Sequence, residues 1–224
     1  MDTFWWRLVG LGFQLLYGPM AWSYGLVSWL ASLGQWRAWQ RAALPYIQGQ
    51  DVLELAHGPG HLLHDLAGAG YAATGVDLSP QMGRRAQRLL RRRGLSVPLV
   101  RGRGEQLPFA SGSFDTVVST FPTPFILAGD TLQSVHRVLR PGGRMVIVPQ
   151  AYLTGRGPLA RFVNWLYVIT GQRPATVAPS AARRPPVAWM ERVHAHGFQL
   201  EIALVSLPRS DVMVLITHAT GPQS

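Results

Sequence analysis

Val52-Leu53-Glu54-Leu55-Ala56-His57-Gly58-Pro59-Gly60-His61-Leu62-Leu63 constrains this chain more than any other stretch. A short apolar run ends in an acid and breaks into a glycine turn, which reads as a strand, a tight loop and a helix start. Gly58 and Gly60 suit a loop whose amides a ligand approaches closely, because no Cβ intervenes and glycine tolerates positive φ. Many α/β proteins put a nucleotide-like ligand at such a turn, so the downstream residues decide what the ligand is.

Strands and helices alternate after this turn. The first strand covers about Asp51 to Leu55, and a helix from His61 to Ala69 ends at Gly70. Tyr71 to Val76 is a β-rich run ending in Asp77. An acid at the tip of the second strand, about twenty residues past the glycine loop, is placed to accept both hydroxyls of a ribose. Its competing use is to cap the helix at Ser79-Pro80, for which Ser79 is the better N-cap. That helix runs to about Arg93 with Arg84, Arg85, Arg88, Arg91, Arg92 and Arg93 mostly on one side and Met82, Ala86, Leu89 and Leu90 available for packing. A solvated face, a nucleic-acid patch and a lipid-headgroup patch all fit those arginines.

Val97 to Arg101 is a third strand and Phe114 to Ser119 a fourth, which delivers Thr120 and Phe121 to the edge that bears the glycine loop. A helix from Thr131 to Leu139 is stopped by Arg140-Pro141-Gly142-Gly143, and Arg144 to Val148 is the fifth strand. The helix Val187 to His196 and the strands Phe198 to Ser206 and Asp211 to His218 complete the pattern.

The chain resembles the class I S-adenosylmethionine-dependent methyltransferases, of the kind called type 11. The resemblance rests on Glu54 to Gly60, on Val76-Asp77-Leu78-Ser79-Pro80-Gln81-Met82, on Glu105-Gln106-Leu107-Pro108-Phe109 with Ser113-Phe114-Asp115, and on Leu139-Arg140-Pro141-Gly142-Gly143. Tyr24-Gly25-Leu26-Val27-Ser28 with Ser32-Leu33-Gly34 and Trp39 also resembles the opening segment of the ubiquinone- and menaquinone-biosynthesis C-methyltransferases, with Gly25 where an aspartate is usual.

The resemblance implies an α/β, Rossmann-like, seven-stranded, mostly parallel sheet with helices on both faces and an antiparallel last strand. It implies S-adenosyl-L-methionine as cofactor, with contacts at Glu54, Ala56, Gly58, Gly60, Asp77, Leu78, Met82, Gly104, Glu105 and Thr120. Glu54 would stand near the ammonium and Asp77 at the ribose. The adenine would lie on Leu78 and Met82, its edge read by the amide of Gly104 or Glu105. Arg103 occupies a place where the family often has an aspartate, and arginine, with donors only, cannot accept from an adenine amino group.

The residues themselves argue against a nicotinamide cofactor. A pyrophosphate loop wants a small residue at the sixth place of the glycine pattern, where Leu63 stands. Glu54 would repel phosphate and attract an ammonium or sulfonium.

The chain has 224 residues and 47% hydrophobic content, enough to form one α/β domain. No cysteine is present, which excludes disulfides and thiolate sites and fits a reducing cytosol. All 21 basic residues are arginine against 11 acids, so lysine chemistry is excluded and the net charge is +10. That charge suits an anionic partner or reflects base composition.

Residues 1–45 read as an aromatic helical cap and 46–224 as the methyltransferase domain, with 151–186 as a lid or substrate insertion. Leu8 to Trp36 is uncharged, but Tyr17-Gly18-Pro19 interrupts it and its aromatics are spread throughout, unlike a membrane span. Arg37, Arg41, Trp36 and Trp39 suit a membrane interface, and a packed cap is the competing use.

The expected activity is methyl transfer to a small, apolar or amphipathic acceptor that is quinone-, phenol- or lipid-like. Tyr24, Phe121, Tyr152 and Trp165 are its candidate contacts. No general base is assigned, although His57, His64, Tyr24 and Tyr152 are of a suitable type, and no metal is expected. The alternatives are an RNA or DNA methyltransferase, suggested by the charge, and a non-catalytic protein of this fold at a membrane surface. Thr120-Phe121-Pro122-Thr123-Pro124-Phe125 stands where a base-methylating enzyme would carry Asn-Pro-Pro-Tyr. The protein is expected to be cytoplasmic, with peripheral membrane contact through the N-terminal helices.

Overall fold

The computed structural model of the chain describes residues 32–154 and 185–219. Its elements are α1 (Trp36–Arg41), a 3-10 turn (Leu44–Tyr46), β1 (Asp51–Leu55), α2 (His61–Gly68), β2 (Ala72–Asp77), α3 (Pro80–Arg92), β3 (Leu99–Arg101) and β4 (Phe114–Thr120). A second 3-10 turn (Pro124–Leu127), α4 (Gly129–Val138), β5 (Leu139–Leu153), α5 (Val187–Ala195), β6 (Phe198–Leu207) and β7 (Ser210–Ala219) follow. The strands form one seven-stranded sheet in the order β3-β2-β1-β4-β5-β7-β6. β1 to β5 pair in parallel, and β7 runs antiparallel between β5 and β6. This is the expected Rossmann-like architecture, and its strand order reverses at β1 and β4.

Alternation along the central strands sends side chains into two cores. Val52, Val118, Val146 and Val148 pack with Leu62, Leu63 and Leu66 of α2, Leu90 of α3 and Trp39 of α1. Leu53, Leu55, Val117, Met145 and Ile147 pack on the opposite face with Leu132 and Val135 of α4 and Val193 of α5. Helix ends follow local chemistry. The Ser79 hydroxyl accepts from the Met82 N–H at 3.3 Å with Pro80 at the first position, so α3 is capped as read from the sequence.

Two expectations are corrected. β5 does not begin after the glycine pair: it starts at Leu139, pairs that residue with Phe114, and absorbs Pro141-Gly142-Gly143 as an irregularity opposite Phe114 to Thr116. Gly142 takes φ +76, which lets an extended strand carry residues that read as a break. At its other end β5 runs on to Leu153, so Ala151, Tyr152 and Leu153 are ladder residues paired with Val212, Asp211 and Ser210, not the start of an insertion. The remainder of the expected insertion, 155–184, and residues 1–31 of the expected cap lie outside the described residues.

Of the four residues read as suiting a membrane interface, Trp39 is packed inside and Arg37 and Arg41 have an acidic partner. Trp39 is buried and donates through Nε1 to Ser210 Oγ at 2.7 Å. Arg37 and Arg41 bind Asp65 of α2 at 2.6 and 2.8 Å.

Asp115 ties the sheet's entrance together. Its Oδ2 accepts from the N–H groups of Gln50 and Asp51 at 2.8 and 2.9 Å, and its Oδ1 from Arg140 at 2.7 Å. A Cβ on Gly49 would collide with its side chain at 2.3 Å. The Arg140 hydrogen bond, then the Asp51 amide, hold the carboxyl below its ordinary range. The unfolded chain therefore binds a proton at a higher pH than the folded one. The stabilisation is complete above the ordinary aspartate range and is lost as pH falls through the lowered folded value. Asp115→Asn should cost on the order of 1 kcal/mol at neutral pH. In urea titrations its deficit against the parent should shrink toward zero in acid; a deficit constant with pH would refute the linkage.

Candidate functional site

The C-terminal ends of β1, β2 and β4 open into a cavity of about 500 Å³ at the point where the strand order reverses. One wall is the turn after β1, with Leu55, Ala56 and Gly58. A second comes from Val76, Asp77, Leu78, Ser79 and Gln81, and a third from Gly102, Arg103, Gly104 and Glu105. Thr120, Phe121, Pro122, Thr123 and Phe125 close the far end after β4.

The turn is fastened to β2. Val76 O accepts from the N–H groups of Ala56 and His57 at 2.8 and 3.3 Å. Asp77 Oδ2 accepts from Gly58 N–H at 2.8 Å, and Asp77 Oδ1 accepts from Ser79 N–H at 2.8 Å. One carboxylate thus sets both the glycine loop and the start of α3, while each oxygen keeps a further lone pair for a hydroxyl at the cavity. Two non-glycine residues on the walls hold left-handed backbone, Ala56 at φ 59 and Phe121 at φ 50. Such strain gathers where a site fixes the backbone.

Helix α1 supports the far wall. Trp36 stacks on Phe121 with ring centroids 4.3 Å apart, and Gln40 Nε2 donates to Thr120 Oγ1 at 3.1 Å. The sequence marked the tryptophans only as cap or interface residues. It gave no signal for Gln40, whose partner lies 80 positions away.

Of the cofactor residues expected, Ala56, Gly58, Asp77, Leu78, Gly104, Glu105 and Thr120 share this cavity, and so does Phe121 from the acceptor set. Glu54, Gly60 and Met82 do not line it. Met82 is fully buried at the third position of α3, and Gln81 takes the place on the wall. Gly60 has φ +84, and a Cβ there would meet the Cβ of Ala86 at 2.7 Å, so its bareness serves the contact between α2 and α3. Tyr152 lies on β5, bonded to Gln150, away from the cavity. Tyr24 and Trp165 are outside the described residues. His57 is buried under the loop with Nδ1 2.7 Å from Gly58 O, and burial lowers its pKa, so it stands there as a neutral ring. Sequence reading missed Gln81, Thr123 and Phe125; the Thr-Phe-Pro-Thr-Pro-Phe run directly after β4 was the available signal for the last two.

Glu54 is fully buried behind the turn, and neither carboxylate oxygen has a hydrogen-bond partner among the described residues. Burial drives its pKa well above the ordinary carboxylate range, only partly offset by the nearby Leu63 amide at the start of α2. An unpartnered buried acid beside a cavity suits a cationic ligand, and Asp77 suits a ribose. These residues fit S-adenosylmethionine. Among the described residues no group of side chains forms a metal site.

Residues 52–143 match the family model of a methyltransferase domain. The chain is 38% identical over 138 residues to the demethylmenaquinone methyltransferase of Beutenbergia cavernae, covering 59% of this chain and 55% of that one. It is 36% identical over 157 residues to the enzyme of that name from a Mycobacterium species, covering 67% and 65%. The match therefore spans less than two thirds of either relative. A putative S-adenosylmethionine-dependent methyltransferase from Methanococcus maripaludis shares the fold, with a TM-score of 0.58 at 14% identity over 83% of this chain and 86% of that one. Residues 52–143 form a methyltransferase domain, and the relatives and the fold support a class I S-adenosylmethionine-dependent methyltransferase. The chain resembles demethylmenaquinone methyltransferases in sequence.

A raised folded pKa for Glu54 means that the unfolded chain loses its proton first. The resulting stability is full below the unfolded carboxylate value and is lost as pH rises toward the folded one. Glu54→Gln should therefore raise the Tm of ligand-free protein at neutral pH, have little effect near pH 4, and shrink the gain in Tm on adding S-adenosylmethionine. Scanning calorimetry at both pH values checks this; a lowered neutral Tm would show that Glu54 is ionised and paired in the free protein.

Proposed function

We propose that the chain transfers the methyl group of S-adenosylmethionine to a small apolar or amphipathic acceptor of the quinol or phenol kind. The observation that carries this reading is a single cavity lined by both polar and apolar side chains. Asp77, Ser79, Gln81 and Glu105 supply the polar groups, and Phe121, Pro122 and Phe125 supply apolar surface, with the Phe125 ring against Gly104. The names of the sequence relatives support a quinone-like acceptor.

When bound, the cofactor supplies an electrophilic methyl carbon on a sulfonium. The chain's residues position and desolvate the partners, which are the main requirements of an in-line displacement. Asp77 offers its remaining lone pairs to the ribose, and the Glu54 charge favours the cationic end. Glu105 supplies on the third wall the acceptor that Arg103 cannot. The Phe121 and Phe125 rings exclude water from the acceptor. Among the described residues the wall carries no histidine or tyrosine.

Incubation of the pure full chain with methyl-labelled cofactor and either a demethylated naphthoquinol or bulk RNA tests the proposal. Label in the quinol is expected; label in RNA alone would overturn it. Asp77→Ala should weaken cofactor affinity at least tenfold (about 1.4 kcal/mol) by calorimetry. The variant's ligand-free Tm separates that loss from a loosened loop, and unchanged affinity would remove Asp77 from the ribose site.

A further inference from the structure

Helix α3 carries Arg84, Arg85, Arg88, Arg91 and Arg92 and no acid. At 3.6 residues per turn these five fall within roughly a third of the helix circumference. Opposite them lie the buried Met82, Ala86 and Leu90. Among the described residues none of the five forms an ion pair, while Asp65 is taken by Arg37 and Arg41, and Asp51 and Asp115 by Arg140. Arg88 stands three or four residues from each of the other four, so like charges crowd one face and destabilise the free helix. A stripe with this cost and no internal counter-charge is complementary to an external polyanion.

The stripe also has a shape. Arg85, Arg88 and Arg92, with Pro59, His61 and Leu89, line a groove of about 250 Å³ between α3 and the start of α2. At the N-terminal end of the stripe Leu78 is 52% exposed, on the rim of the main cavity and one residue before the α3 cap. We propose that the arginine face of α3 docks on an anionic phospholipid surface, with headgroup phosphates seated in the groove and Leu78 against the acyl boundary. The charge complementarity selects an anionic surface, and two observations favour lipid over nucleic acid. Among the described residues no Phe, Tyr or Trp lines the groove to stack a base, and the exposed Leu78 stands on the rim of the main cavity just ahead of α3.

The test is co-sedimentation of the full chain with vesicles of phosphatidylcholine and with vesicles that also contain phosphatidylglycerol, across a salt series. The parent should prefer the anionic vesicles at least tenfold at low salt, and the preference should decay as salt rises. The triple variant Arg85→Gln, Arg88→Gln, Arg92→Gln should bind both vesicle types alike, with cofactor affinity kept and Tm no lower than the parent's. An equal preference in parent and variant would overturn the proposal. So would RNA binding that is tighter than vesicle binding and lost with the same three substitutions. The readout needs no methyl transfer, so its failure would leave the proposed reaction standing.

Discussion

The Asp77 carboxylate is the interaction on which the site depends. It accepts from Gly58 N–H through one oxygen and from Ser79 N–H through the other, each at 2.8 Å, so the loop after β1 and the helix after β2 are set by the same group. Val76 O adds the amides of Ala56 and His57 to that anchor. The left-handed backbone at Ala56 then follows from closure of the turn, and the strain is held because three hydrogen bonds oppose its release. A ligand bound at Asp77 meets a loop whose amides are already fixed, which lowers the ordering cost of binding.

Glu54 and Asp77 show how one type of side chain takes opposite electrostatic roles 23 positions apart. Asp77 is half-buried and satisfied by peptide donors, and it faces the cavity. Glu54 is sealed behind the same turn with no partner among the described residues, and burial raises its pKa. Burial disfavours the ionised form of this carboxyl, and a cation arriving beside it would offset that cost, so its charge is favoured most in the bound state.

The strands and most helix boundaries were legible from apolar runs punctuated by glycine, proline and acids, because those residues act within a few positions of themselves. Misreadings arose where a distant partner decides. Pro141-Gly142-Gly143 reads as a stop, but the ladder to β4 carries the strand through it with a left-handed glycine. Met82 and Gln81 differ by one helical position, and the cap at Ser79 sets which of them is buried. Gly60 looks like a ligand-facing glycine, yet the atom that forbids a side chain there belongs to Ala86 on the next helix. Gln40 and Tyr152 depend on partners in other elements or on the length of a strand, which no local pattern encodes.

The distribution of acids explains why the positive charge of this chain is concentrated on α3. With 11 acids against 21 arginines, counter-charges are scarce, and several are spent on structure. Asp65 joins α1 to α2, Asp51 and Asp115 hold Arg140 where β1, β4 and β5 meet, and Asp77 fastens the loop. Each sits where the sheet or its covering helices need a fixed joint; α3 is fixed at its start by Asp77 and along its length by the buried Met82, Ala86 and Leu90. On its outer face that helix carries none of these anchors and presents a single sign of charge. Its N-terminus borders the cavity through Ser79 and Gln81, so that charged face starts at the site's rim. The element that helps to form the cavity therefore also carries five arginines on its outer surface, and an anionic surface drawn to it is brought up beside the opening.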